Sequence, residues 1–143
     1  MIRTQVDLRR PIEAVFDYFA DFRNENEWNA VARDARLLTE PPIAAGSRFS
    51  IVYTRVGTME YEISAFDRPR HLAVRATSKA FNSMSTFDFS ARRGFTHVEI
   101  AIHPKPKGVL KVFAPLIAGM ARGQLEKGMA SLKRTLEARA ASM

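Results

Sequence analysis

Between residues 2 and 8 the apolar side chains Ile2, Val6 and Leu8 share one phase of a two-residue alternation, the pattern of a half-buried strand. Helical spacing follows at once. Pro11 suits a first helical turn, Ile12, Val15, Phe16, Phe19 and Phe22 recur on one face, and Glu13 lies near the positive end of the helix. The charged run Arg23 to Glu27 breaks that pattern, so a loop or a single helical turn carries the only tryptophan, Trp28, to its place. From about residue 33 to 103 the period is two, with turn residues spaced for antiparallel hairpins, which predicts five or six strands. Ala35 and Leu37 open the series. Phe49, Ile51 and Tyr53, then Met59, Tyr61 and Ile63, then Leu72, Val74 and Ala76, then Phe87 and Phe89, and finally Val98, Ile100 and Ile102 hold one apolar face. Turns are expected at Pro41-Pro42, Gly57-Thr58, Arg68-Pro69-Arg70 and Arg93-Gly94, and Pro104 and Pro106 are expected to end the last strand. Helical spacing returns from about Gly108. Leu125, Met129, Leu132 and Leu136 form a one-sided stripe, whereas residues 109–120 are apolar on nearly every side. Pro115 either kinks a helix running from about 108 or sits in the first turn of one starting near 114.

Composition narrows the class. A chain of 143 residues, 46% hydrophobic and 26% charged, is one globular domain spanning 1–143, with no internal repeat and no linker. No apolar run is long enough to cross a membrane and the first residues lack the apolar centre of a secretion signal, so a cytoplasmic, soluble protein is expected. The absence of cysteine excludes disulfides, thiolate metal sites and thiol nucleophiles. The formal charge of +7 raises nucleic acid, acidic membranes and anionic substrates as partners. Arg9-Arg10, Arg68 with Arg70, Arg92-Arg93 and Lys105 with Lys107 are scattered at element ends and form no stripe, which argues against nucleic acid and for ordinary solvated charge.

Strand, short helix, antiparallel strands and a long closing helix make an α+β arrangement. Its residues resemble the START-like, or SRPBCC, superfamily, in particular the bacterial polyketide cyclase/dehydrase and lipid-transport branch. The likeness covers essentially the whole chain. It is carried by Val6, Pro11, Val15-Phe16 and Tyr18 followed by Trp28; by Gly46-Ser47-Arg48-Phe49; by Glu60-Tyr61-Glu62-Ile63 running to Arg68-Pro69-Arg70-His71-Leu72; and by the closing Leu125 to Glu137 segment. The resemblance implies a helix-grip fold, a curved antiparallel sheet wrapped around a long C-terminal helix, with an elongated apolar cavity between them. Members of the superfamily carry lipids, cyclise polyketides, act as co-chaperones or bind quinones, so fold alone does not choose a function. This chain has Gly94-Phe95-Thr96 where relatives often carry Gly-Thr before the last strand.

On that reading the wall residues of a ligand site are Trp28, Phe49, Ile51, Tyr53, Arg55, Tyr61, Ile63, Val74, Ser85, Phe87 and Phe89, with Phe113, Ile117 and Met120 from the closing segment. Plain core packing is the ordinary role of the aliphatic members. Met84 lies one place out of phase, so either a bulge intervenes or it faces outward. Arg55 continues the inward phase of Tyr53 toward a cavity mouth, where a guanidinium clamps an anion unless the strand twists it into solvent. Ser83, Ser85 and the hydroxyls of Tyr53 and Tyr61 are candidates for orienting a carbonyl or hydroxyl. His71 follows a turn, His97, Glu99 and His103 share the polar face, and Glu60 and Glu62 point outward. No metal site, cofactor or paired-carboxylate mechanism is therefore expected, and no strong base stands out. Gly119, Gly123 and Gly128 weaken the closing helix, which close packing against the sheet would explain. The sequence favours binding or transport of a small hydrophobic molecule of lipid, polyketide or isoprenoid type. A cyclase/dehydrase-type enzyme is the first alternative, and a protein-interaction or nucleic-acid-binding module using the basic surface is the second. Monomer or homodimer, and a transient membrane contact through residues 109–120, stay open.

Overall fold

The computed structural model describes residues 1–54, 57–79, 81–107 and 114–142, with 81, 106, 114–118, 120, 121 and 139–142 as backbone alone. One strand, β1 (Ile2–Leu8), leads into helix α1 (Ile12–Ala20), a 3₁₀ turn (Phe22–Asn24) and a single helical turn, α2 (Glu25–Trp28). Six strands follow: β2 (Ala32–Leu37), β3 (Arg48–Tyr53), β4 (Gly57–Asp67), β5 (His71–Thr77), β6 (Phe81–Arg92) and β7 (Phe95–Pro106). Helix α3 (Ala114–Ser142) closes the chain. All pairings are antiparallel and the order is β1-β7-β6-β5-β4-β3-β2, so α1, the 3₁₀ turn and α2 carry the chain from one sheet edge to the other.

The inward phase is the one the alternation predicts. Phe49, Ile51, Ile63, Leu72, Val74, Val98 and Ile100 are all buried. A register shift between Ile63 and Ala65 adds a residue to β4, which brings Phe66 rather than Ala65 into line with Leu72. Phe66 thereby meets Phe16 of α1 edge to face, with ring centroids 5.2 Å apart, and Phe16 meets Phe89 in the same way at 5.1 Å. From α3 the stripe Met129, Leu132 and Leu136 enters this core and Leu125 packs on its margin. Arg68 holds α1 from outside through a two-pronged pair with Asp17 at 2.7 and 2.9 Å.

Several expectations change. β7 runs on through Pro104 and ends at Pro106, the last residue of its ladder with β6, so only the expectation for Pro104 changes. β1 stops opposite Ile102, so beyond it β7 is an edge strand, where proline is tolerated. Gly57 and Thr58 belong to β4 itself, Gly57 at φ 85°. Met84 faces outward, 44% exposed, in an unbroken ladder with no bulge. Helix α3 is described over Ala114–Ser142, 29 residues that span about 43 Å at ~1.5 Å per residue, and the alternatives for Pro115 turn on residues 108–113, which lie outside the described residues. Among the described residues no helix is long and apolar enough to cross a membrane.

The glycines of α3 divide. A Cβ on Gly128 would stand 2.9 Å from the Trp28 ring, so this glycine is the contact that seats α2 on α3. Among the described residues nothing stands within 4 Å of a Cβ on Gly119 or Gly123, so the close-packing explanation holds there for Gly128 alone. Gly123→Ala is expected to stabilise the fold by about 0.5–1 kcal/mol through helix propensity. Gly128→Ala is expected to destabilise it, because overpacking costs about 1–3 kcal/mol and outweighs that gain. Urea unfolding of the two variants checks the opposite signs.

Candidate ligand site

At the end of α1 the chain must turn back over the sheet, and local hydrogen bonds fix how it does so. Asp21 caps the 3₁₀ turn by accepting from the Arg23 amide at 3.2 Å, and the Asn24 side chain donates to the Tyr18 carbonyl at 3.1 Å. The Tyr18 hydroxyl in turn donates to Glu27 Oε1 at 2.8 Å. Phe22 is thereby laid on the concave face of the sheet, stacked on Tyr61 at 5.3 Å and edge-on to Phe49 at 5.2 Å. Glu25, the first residue of α2, is aimed inward.

Its carboxyl meets the inward tyrosines. Tyr53 donates to Glu25 Oε2 at 2.5 Å, the Tyr53 and Tyr61 hydroxyls are 2.6 Å apart, and Asn29 Nδ2 also donates to Oε2 at 3.1 Å. A phenol has one proton, so with Tyr53 donating to the carboxylate, Tyr61 is the donor to Tyr53. The result is a directed chain, Tyr61 to Tyr53 to Glu25, on an otherwise apolar wall. Burial holds the Glu25 carboxyl above its ordinary range, while the hydrogen bonds from Tyr53 and Asn29 oppose that shift. Both tyrosines are pushed far up, by burial first and then by neighbouring charge, that of Tyr61 and Glu25 on Tyr53 and that of Glu25 on Tyr61. They act as neutral donors, and Glu25 is the member of the chain suited to exchange a proton.

The inward face is unevenly filled. Around Phe16 and Leu132 nothing is accessible, but Tyr53, Tyr61, Ser85, Phe87 and Ile102 are only half-buried although they share the inward phase. Across the strands the register sets Tyr61 beside Ala76 and Ala76 beside Ser83, and the next row sets Val74 beside Ser85, whereas the row of Leu72 continues with Phe87 and Ile100. The inward side chains that keep some exposure thus lie at this end, next to the polar chain, while Ala76 and Ser83 beside them are buried.

Of the residues singled out from sequence, Tyr53 and Tyr61 come together directly, and Ser85 and Phe87 line the same half of the face. Phe49, Ile51, Ile63, Val74 and Phe89 are buried in the packed wall. Trp28 packs on Gly128. Arg55 and Phe113 lie outside the described residues, as do the side chains of Ile117 and Met120. Glu25 is an inward-facing carboxyl that the sequence reading did not single out. It sits in the charged run where periodicity stops, and only its position three residues before Trp28 in a possible helical turn hinted at an inward aim. Glu60 lies exposed on the outer face and Glu62 half-buried there, opposite Arg48 and Arg75. His97 is engaged by Asp7 at 2.6 Å and Glu99 at 3.4 Å, and His71 by Asp88 at 2.6 Å.

A seven-stranded antiparallel sheet curved around a long helix, with an apolar concave face that carries the Tyr61–Tyr53–Glu25 chain, defines a helix-grip protein of the START-like class. Residues 1–137 match the model of the polyketide cyclase/dehydrase and lipid-transport family, and the chain belongs to that family. Solved structures share the fold. Protein TTHA0849 from Thermus thermophilus superposes with a TM-score of 0.77 at 14% identity, over 96% of this chain and 97% of that one. Hypothetical protein jhp0584 from Helicobacter pylori gives 0.78 at 11%, over 94% and 86%. The Aha1 dimer from Colwellia psychrerythraea gives 0.68 at 11%, over 95% of each chain. At these identities the likeness is one of fold alone. None of the curated proteins matches the chain in sequence.

Proposed function

We propose that the protein binds a small hydrophobic molecule carrying a hydroxyl or carbonyl group, between the concave sheet face and α3. The observation that carries this reading is the set of inward, half-buried side chains, Tyr53, Tyr61, Ser85 and Phe87, beside a carboxyl chain that apolar packing does not need. Burial of the ligand's apolar body supplies affinity and the tyrosine-glutamate chain sets its orientation. Glu25 Oε2 receives both Tyr53 and Asn29, which leaves Oε1 for a donor on the ligand. Nile red, a neutral apolar dye, tests the site without engaging surface charge. Saturable one-to-one binding is expected, with Ser85→Phe weakening it at least tenfold while the fold stays intact. Absence of saturable binding, or equal binding by Ser85→Phe, contradicts the assignment.

Glu25 also favours a second reading, a cyclase/dehydrase-type enzyme in which this carboxyl exchanges a proton with a bound carbonyl compound while Tyr53 and Tyr61 donate to the oxygen. Turnover lost in Glu25→Gln with ligand binding retained is the result that reading requires.

A further inference from the structure

Two arginine pairs that are remote in sequence meet at one end of the molecule. β1 pairs with β7 so that Leu8 faces Thr96, and Arg9-Arg10 consequently leave the sheet beside the β6–β7 hairpin, which carries Arg92-Arg93 and turns at Gly94. The Thr96 hydroxyl donates to the Arg10 carbonyl at 2.7 Å, and the Arg9 amide donates to Glu137 Oε2 of α3 at 3.2 Å, so the backbone of this junction is fixed from two sides. Lys133 of α3 joins the group, its Nζ held on the Asp7 carbonyl at 2.9 Å.

The five cations surround concave space. One cleft of about 360 Å³ lies between Arg9, Arg93, Phe95 and Lys133, with Asp7 at its wall, and a second of about 300 Å³ lies between Arg9, Arg10, Arg92 and Phe95. They share Arg9, Gly94 and the half-buried Phe95 ring. Two carboxylates are near, and both are engaged. Asp7 is bonded to His97 Nδ1 at 2.6 Å, and Glu137 accepts the Arg9 amide. Among the described residues no carboxylate stands within ion-pair distance of the Arg9, Arg10, Arg92 or Arg93 guanidinium groups. Like charges gathered this way repel one another, and charge needed only for solubility is better dispersed.

We propose that this end of the protein binds a phosphate-bearing small molecule with two or more negative charges. Several arginine forks around adjoining clefts match tetrahedral phosphate oxygens, and a single carboxylate would leave most of the positive charge unmatched. Cleft volumes near 300 Å³, at the lower end of the range of about 300–1,000 Å³ for small-molecule sites, suit a headgroup or a diphosphate rather than a long polyanion. The site lies apart from Glu25, Tyr53 and Tyr61, so it stands or falls independently of the hydrophobic site.

Calorimetric titration of the full chain with inorganic pyrophosphate tests it. Saturable binding is expected, weakened at least tenfold in Arg9→Ser/Arg93→Ser with an unchanged thermal midpoint, and retained in the charge-matched control Arg33→Ser/Arg36→Ser on β2. Vesicles of phosphatidylcholine with phosphatidic acid distinguish the source. Sedimentation with them that pyrophosphate reverses places the phosphate on a lipid, and pyrophosphate binding without it makes the ligand a free phosphate compound; either supports the site. Absence of saturable binding, equal loss in the control, or binding of duplex DNA that pyrophosphate does not displace overturns it.

Discussion

Phe16→Ala is expected to lower the free energy of unfolding by about 3–5 kcal/mol, the range for removing a large ring from a closed core. Phe16 is fully buried and its ring is held edge-on by Phe66 and Phe89, at 5.2 and 5.1 Å. Neither neighbour can collapse into the gap, because Phe66 is fixed by the β4 register shift and Phe89 also meets Phe19 at 5.6 Å. A domain of this size has roughly 5–15 kcal/mol in all, so the variant is left near the edge of folding. Met84→Ala, on the outer face, is the matched control and is expected to change stability by no more than about 0.5 kcal/mol. Urea unfolding at neutral pH measures both. A loss under about 1 kcal/mol for Phe16→Ala, far below the cavity range, would show that α1 is not seated in the sheet by this ring.

Tyr53→Phe removes the donor to a buried carboxylate and is expected to cost about 1–3 kcal/mol at pH 8. The cost must shrink toward pH 4. In the folded protein the Glu25 proton is held more tightly than in the unfolded chain, because burial penalises the charged form. The resulting stabilisation is complete below the unfolded carboxyl value of about 4.3 and is lost as pH rises through the higher folded value. Since the Tyr53 hydrogen bond favours the charged form, its removal raises the folded value further and steepens this loss. Glu25→Gln, which cannot ionise, removes the Glu25 contribution to the slope. Thermal or urea unfolding of the three proteins between pH 4 and 8 reads the pattern, and a Tyr53→Phe cost that is the same at both ends would contradict it.

Most of the fold is legible in the sequence because its signals are local. The alternation through Phe49, Ile51 and Tyr53 gives β3 its inward face, and the stripe Met129, Leu132 and Leu136 gives α3 its buried one. Proline misleads at Pro104 but not at Pro106, where β7 ends, since whether a strand position has a neighbour depends on where β1 stops. The candidate site is half legible. Tyr53 and Tyr61 follow from strand phase, but Glu25 lies in a charged run, and its inward aim comes from Asn24 reaching back to the Tyr18 carbonyl and from Tyr53 across the fold. Arg9-Arg10 and Arg92-Arg93 look like separate solvated pairs until the β1–β7 ladder joins them. Likewise, among the described residues only Gly128 of the three helix glycines has a packing partner, and it is a tryptophan about a hundred positions away.

The claim that the concave face holds a hydrophobic ligand is tested most directly by non-denaturing mass spectrometry of the protein purified from its own cells. The expected spectrum shows one apolar adduct per chain, extractable into organic solvent and absent from Ser85→Phe. A clean mass of the bare chain, under conditions in which a known lipid-binding protein keeps its ligand, would contradict a resident ligand and move the function of Glu25, Tyr53 and Tyr61 to a transient substrate.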